Sequence, residues 1–312
     1  MKSNYRYIVK AFMAMAVIAG TTSCDDFLDR EPMSSISPET YFSTAAQLEA
    51  NLNDEYPNVL PSFGQWTYGI FGEDKGTDNQ IEVNANDRYT QDRWKVPHSE
   101  SDNWKFERIY RINFFLSEAL PKFGEDMSGS QNTISGSVAT IKHYIGEMYF
   151  LRAYEYFKKL QLFGDFPIIN QPLADEMEAL REASKRFPRN EVARFIISDL
   201  DKAYAYMSDV DMATTRINKD VAMLVKSRVA LFEATWLQNF KGTAFVPGGE
   251  GWPGASLHNN YQYPSGNIDN EVKYFLEQAV EASKLVADKY KGSLTENTGV
   301  LQQSADDPSN PY

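Results

Sequence analysis

The stretch Val138–Phe163 constrains the fold more than any other part of the chain. It reads as one uninterrupted helix with apolar residues on two sides. Gly146, Phe150, Ala153, Phe157 and Leu160 follow spacings of four, three, four and three, and Ile141, Ile145, Met148, Leu151 and Tyr154 make a second stripe. A helix that is apolar on two faces has to lie between neighbours. Gly146 and Ala153 let another helix approach closely. Gly164-Asp165-Phe166-Pro167 stops it, and residues 166–169 read as at most a short extended piece.

The neighbours are legible on both sides. Thr44 and Gln47 form a capping box for a first helix, with Leu48, Leu52 and Tyr56 on one stripe and an end before Pro57. Phe106, Ile109, Ile112, Leu116 and Leu120 mark a second, closed by Pro121, and residues 123–137 are a Gly- and Ser-rich loop. Asn190 is the expected N-cap of a helix carrying Val192, Ile196, Leu200, Ala203 and Met207. Asn218 opens the next, with Asp220 in its first turn and Val225, Val229, Phe232, Trp236 and Phe240 facing the core. A Gly/Pro-rich loop covers residues 241–267. A last helix carries Val272, Leu276, Ala279, Val286 and Tyr290, and no element is evident after Gly292. The expectation is a mainly α fold. Small residues at helix contacts, and a faint echo in Gly146-x-x-Tyr149, point to a tetratricopeptide-like repeat scaffold with long ligand-binding loops; a generic irregular bundle is the alternative.

The amino terminus has a different character. Lys2, Arg6 and Lys10 precede an apolar run, Ala11 to Gly20, and then Ser23 and Cys24. A basic start, a short apolar run and small residues before a cleavage point make a secretory signal. A membrane span needs about 20 apolar residues, more than this run has. Cys24 is the only cysteine, so an exported chain has no intramolecular disulfide to make with it. Its place suggests a bacterial lipoprotein, lipidated on Cys24, with several acyl chains anchoring where one would not. Thr21 departs from the leucine that most such signals carry. The expected division is a signal at 1–23, a lipidated tether at 24–43, a helical domain at 44–291 and a tail at 292–312.

With 43 acidic against 31 basic residues the chain carries −12, and loss of the leader removes three positive charges and no negative ones. Such a balance argues against nucleic-acid binding and against adhesion to anionic lipid. The string Gly249-Glu-Gly251-Trp-Pro-Gly254 is a literal G-x-G-x-x-G. It follows a helix rather than a strand, and Trp-Pro stands where a phosphate-binding helix would begin, so it is not read as a nucleotide site. His98, His143 and His258 are far apart and form no metal-ligand pair. Acidic pairs are too common here to mark a hydrolase. Asp74 and Asp78-Asn79 do not match an EF-hand. No catalytic residue, metal or cofactor is expected.

Between Pro57 and Asn103 no helical period is sustained. Gly, Asn, Asp and aromatic residues alternate there, as in a long structured loop of the kind that carries function. Flat rings stack on the apolar faces of sugars while Asp, Asn and Arg bond the hydroxyls. The candidate ligand contacts are Trp66, Tyr68, Asp74, Asp78, Asn79, Arg88, Tyr89 and Trp94. The plainer reading is that Trp66 and Trp94 pin the loop to the helical body.

Several segments in order carry a resemblance: Cys24-Asp-Asp-Phe-Leu-Asp29 with Pro32, Thr44 to Tyr56, Trp104 to Asn113, Gly146 to Ala153 with Tyr156-Phe157, Phe163-Gly-Asp-Phe-Pro167, Pro188-Arg189, Ile197-Ser-Asp-Leu200, and Asn218 to Phe232. Together they resemble the SusD/RagB family of Bacteroidetes outer-membrane lipoproteins. The resemblance implies a surface-exposed, non-catalytic lipoprotein. It would bind oligosaccharide or polysaccharide and act as a lid over a SusC-like TonB-dependent transporter. Its RagB branch offers a second reading, a peptide-binding lid of a RagAB-like importer. A surface hydrolase is the contrasting class. Family members are usually longer, so the chain reads as lacking the C-terminal portion that supplies part of the ligand surface.

Overall fold

Val138–Phe163 forms one helix over the residues expected from its apolar pattern. The Ser137 hydroxyl accepts from the Thr140 amide at its start, and Gly164, at φ +68°, turns the chain away at its end. Both apolar stripes are buried, apart from a half-buried Tyr154. A Cβ on Gly146 would lie 2.8 Å from the Met207 nitrogen and 3.0 Å from the Ala203 carbonyl, so this glycine is where a neighbouring helix presses in.

The computed structural model describes residues 41–61, 103–124, 126–208, 212–213 and 215–293. Its helices are α1 (Ala45–Val59), α2 (Glu107–Phe123), α3 (Val138–Phe163), α4 (Met177–Ala183), α5 (Arg189–Tyr206), α6 (Lys219–Asn239) and α7 (Ile268–Tyr290), with a 3₁₀ turn at Pro253–Ser256. Among the described residues there is no strand, only two isolated bridges, Thr44 with Ser135 and Phe166 with Phe187. No described helix is long and apolar enough to cross a membrane.

The helices stack in series. α1 and α2 lie on α3, α3 on α5, α5 on α6, and α6 on α7. Residue contacts fix the direction of the last three steps. Gly146 meets Met207 while Arg152 meets Asp199, so α3 and α5 are antiparallel. Arg189 pairs with Glu233 and Lys226 with Asp201, which makes α5 and α6 antiparallel. Lys289 donates to Asp220 and Lys241 to Asp269, which does the same for α6 and α7. Successive antiparallel pairs over one continuous core are the tetratricopeptide-like arrangement expected, in which each helix touches mainly its neighbours.

Arginine–carboxylate pairs tie the helices together, two of them fully buried, Arg152–Asp199 and Arg189–Glu233. Arg152 donates to both oxygens of Asp199 at 2.6 and 2.8 Å, and its remaining nitrogen reaches Asn113 Oδ1 and the Asn170 carbonyl. Arg216, before α6, pairs with Glu147 of α3. Arg194 of α5 holds Glu271 at the start of α7, at 2.7 and 2.9 Å.

Glu271 also accepts from Asn190 and from the Ser265 amide. Burial pushes its pKa up, but the hydrogen bonds from Arg194, Asn190 and Ser265 outweigh burial and hold it below the usual glutamate range. A carboxylate with a depressed folded pKa contributes stability that is complete above its unfolded value and lost as the pH falls through the folded one. Glu271→Gln should therefore be least stable relative to the wild type near neutrality. The gap should narrow as the pH drops below about 4.3, the ordinary glutamate value. Urea titrations from pH 7 to pH 3 test this; a gap independent of pH would assign Glu271 a packing role only.

Several helix ends differ from the sequence reading. α1 runs through Pro57 to Val59, and α2 through Pro121 to Phe123. In each case the proline deprives only an exposed residue, Asn53 or Ser117, of its helical carbonyl partner, a small loss in the last turn. Asn190 is not an N-cap: α5 starts at Arg189 after Pro188, and the Asn190 side chain is buried against Glu271 and Tyr261. In α6 the fully buried side is Ala222, Met223, Lys226, Val229, Ala230, Glu233, Ala234 and Leu237, while Phe232, Trp236 and Phe240 sit at its edge, half-buried. In α7 the core side is Phe275, Ala279, Ala282 and Val286; Leu276 and Tyr290 are exposed. The short α4 has no buried residue, and hence no apolar stripe to announce it. The capping box at Thr44 and the N-cap at Asn218 form as read.

Candidate ligand-binding site

Trp66, Tyr68, Asp74, Asp78, Asn79, Arg88, Tyr89 and Trp94, like Cys24, lie outside the described residues. The points where their segment leaves and rejoins the helical body are described. Lys158 Nζ donates to the Val59 carbonyl at 3.1 Å and Lys159 Nζ to the Asn103 carbonyl at 2.7 Å. Trp104 then sets its ring edge-on to Phe163 and Phe166, each at 4.9 Å. All three anchors gather at the C-terminal end of α3.

At that end a cleft of ≈520 Å³ opens between residues 161–165 and the 244–257 stretch of the loop joining α6 to α7. Phe163, Trp236, Phe245 and Trp252 supply aromatic walls, Asp165 and Arg189 a polar floor, and Arg186, Leu162 and Leu257 the rim. The volume lies within the range of about 300–1,000 Å³ common for small-ligand sites.

The floor follows from the break in α3. After Gly164 the Asp165 carboxylate accepts from the Arg189 amide at 2.9 Å and from Trp252 Nε1 at 2.7 Å. Burial raises the pKa of Asp165 above the usual aspartate range, although both hydrogen bonds and the two nearby arginines favour its charge. Arg189 is committed to Glu233, with Nε at 3.0 Å and Nη2 at 2.9 Å from the carboxylate, and lies 4.0 Å over the Trp236 ring. Glu233 is fully buried and burial raises its pKa, yet the pair leaves little net charge facing the cleft.

The opposite wall depends on glycines. A Cβ on Gly249 would meet the Thr243 carbonyl at 1.9 Å, and one on Gly254 would meet the Trp252 ring at 2.2 Å. Gly251 has φ +76°. The G-x-G-x-x-G string therefore shapes a tight turn and seats Trp252, and it builds no phosphate cradle. Trp252 stacks on His258 at 5.9 Å, and His258 Nε2 donates to the Arg186 carbonyl at 2.7 Å. Trp236 Nε1 donates to the Phe245 carbonyl at 3.0 Å, which leaves the exposed Phe245 ring at the cleft.

Aromatic walls over a hydrogen-bonded polar floor suit a ring-shaped polar ligand. Asp165 has both oxygens occupied, which fits a positioning group better than a free base. His143 is buried, its Nε2 donating toward Glu147 and the Ile217 carbonyl and its Nδ1 accepting from the Ser208 amide. Among the described residues no group of three or more His, Cys, Asp or Glu side chains is arranged to hold a metal. The cleft was not anticipated from sequence, which showed a loop at 241–267. The one signal was Trp252 and Pro253 inside a glycine cluster, and it became meaningful only with Asp165 opposite.

Fold and cleft together define an α-helical repeat protein with a loop-built aromatic cleft. The chain belongs to the SusD-like family: the family model described as "Starch-binding associating with outer membrane" matches residues 26–231. SusD-like protein P2 of Formosa agariphila is 25% identical over 253 residues, covering 77% of this chain and 46% of that protein. The chain spans less than half the length of the curated relatives it matches. Among solved structures, a SusD-like protein from Bacteroides fragilis is 21% identical with a TM-score of 0.47, over 68% of this chain and 39% of that one. A SusD-like carbohydrate binding protein from Bacteroides vulgatus is 16% identical, also with a TM-score of 0.47, over 82% of this chain and 47% of that one.

Proposed function

We propose that this chain is a lipid-anchored, non-catalytic receptor of the outer membrane that captures oligosaccharides and hands them to a SusC-like TonB-dependent transporter. Family membership over residues 26–231 carries this reading. The aromatic cleft beside the roots of the 62–102 segment supports it, because that segment holds the rings and polar side chains named from sequence. In this reading residues 1–23 are the leader, 24–43 the lipidated tether, 44–291 the helical receptor domain, and 292–312 a tail. Trp66, Tyr68, Asp74, Asp78, Asn79, Arg88, Tyr89 and Trp94 contact the glycan, and Phe245 extends the stacking surface.

The test is calorimetric titration of the purified protein with panels of oligosaccharides and peptides. Trp94→Ala and Phe245→Ala should each weaken oligosaccharide binding by about 1–3 kcal/mol, the size of an aromatic interface contact. Unchanged affinity in either variant removes that ring from the site. Peptide binding with no response to any oligosaccharide would replace this reading with the peptide-importing one.

A further inference from the structure

Among the described residues the cleft contains one cationic group without an ion-pair partner. Arg189 is neutralised by Glu233. Arg186 is not: among the described residues its guanidinium forms no ion pair; it lies 4.5 Å over the Trp104 ring and acts on Asp165 only at longer range. Its backbone is nevertheless held firmly. The Arg186 carbonyl accepts from His258, and the next residue, Phe187, exchanges both backbone hydrogen bonds with Phe166 at 3.1 and 3.0 Å. The side chain is exposed and lines the cleft rim. A guanidinium stacked on an aromatic ring, with its planar fork of N–H donors unoccupied, is preorganised for a two-oxygen anion such as a carboxylate or sulfate.

We propose that the cleft selects an anionic saccharide, with Arg186 binding the acidic group while the exposed Phe245 contacts the sugar ring. This rests on the receptor reading above and narrows its ligand class. The anion must bind at the Arg186 rim, away from Asp165, whose two oxygens are turned to the Arg189 amide and to Trp252. In a chain of net charge −12, long-range attraction for an anion is weak. Selectivity must therefore come from this local donor, and it should fade only modestly with salt if the contact is well seated.

The experiment titrates the full chain and its Arg186→Gln and Arg186→Lys variants with four probes: an oligogalacturonate, a sulfated oligosaccharide, a neutral maltooligosaccharide and an acidic peptide. Either anionic saccharide should bind about tenfold or more tightly than the neutral one, as expected for a hydrogen bond to a charged group. That preference should vanish in Arg186→Gln and be only partly kept in Arg186→Lys, which retains charge without the fork. Whichever of the two anionic probes binds more tightly identifies carboxylate or sulfate as the acidic group. Equal binding of neutral and anionic saccharides, unaffected at Arg186, overturns the anionic class and leaves the oligosaccharide receptor standing. Binding of the acidic peptide alone overturns both.

Discussion

Asp199→Ala should lower the stability of the protein by about 3–5 kcal/mol, the usual cost of removing one partner from a buried ion pair. Arg152 is 3% exposed and Asp199 is 0% exposed, so water cannot replace the lost carboxylate. The guanidinium has two side-by-side bonds to Asp199 and is flanked by the rings of Tyr149 and Phe195 at 5.3 and 5.2 Å. Burial works against its charge, and Asp199 more than compensates, keeping it a stronger base than an ordinary arginine. Without Asp199 only Asn113 and the Asn170 carbonyl remain as partners, and neither carries a charge. The same side chain ties α2, α3, α5 and the 169–170 turn together, so the loss should appear as a lower midpoint of the whole cooperative transition. Denaturant unfolding measures it. Lys185→Gln, which breaks the exposed pair with Glu182, should change stability by no more than about 1 kcal/mol. Equal effects in the two variants would show that the Arg152–Asp199 contact is not a buried pair in solution.

Cys24→Ser should move the protein from the outer-membrane fraction to the soluble one and abolish incorporation of labelled palmitate. The argument is one of chain number. Each buried methylene contributes about 0.8 kcal/mol, yet a single acyl chain gives only reversible binding, whereas two or more anchor stably. A thioether-linked diacylglycerol on Cys24 supplies two at once, and serine at this position supplies none. The acidic body gains nothing from anionic headgroups, so no second attraction would mask the loss. Retention of Cys24→Ser in the membrane, with its leader removed, would mean that another part of the chain holds it there. Palmitate absent from the wild type would remove the lipoprotein assignment.

The helices were legible because their cause is local. Val138–Phe163 shows its burial in its own spacing, and Thr44 with Gln47 shows its cap in four residues. Both the helix and the capping box form as read. The N-cap at Asn218 is equally local, and its side chain accepts from the Val221 amide at 3.0 Å. Asn190 shows where such reading fails. Its type suits a cap, but two residues far along the chain, Tyr261 and Glu271, claim its side chain instead. The aromatic stripe of α6 packs against the core as read, though only half-buried; periodicity reveals that Phe232, Trp236 and Phe240 share a side, not that Trp236 also lines a cleft.

The amino-acid pattern alone established a mainly helical chain, the ends of its longest helix, and a resemblance that the family match over residues 26–231 upheld. Those features depend on neighbours a few residues apart, or on the order of segments along the chain. The antiparallel register of the stack, the pairing of each buried arginine with one carboxylate among many, and the cleft between Asp165 and Trp252 were decided in three dimensions. Asp165 and Trp252 are 87 positions apart and 2.7 Å from contact atom to contact atom. Nothing in either residue's local sequence specifies the other; only the packing of α3 against α5 and α6 brings their loops together.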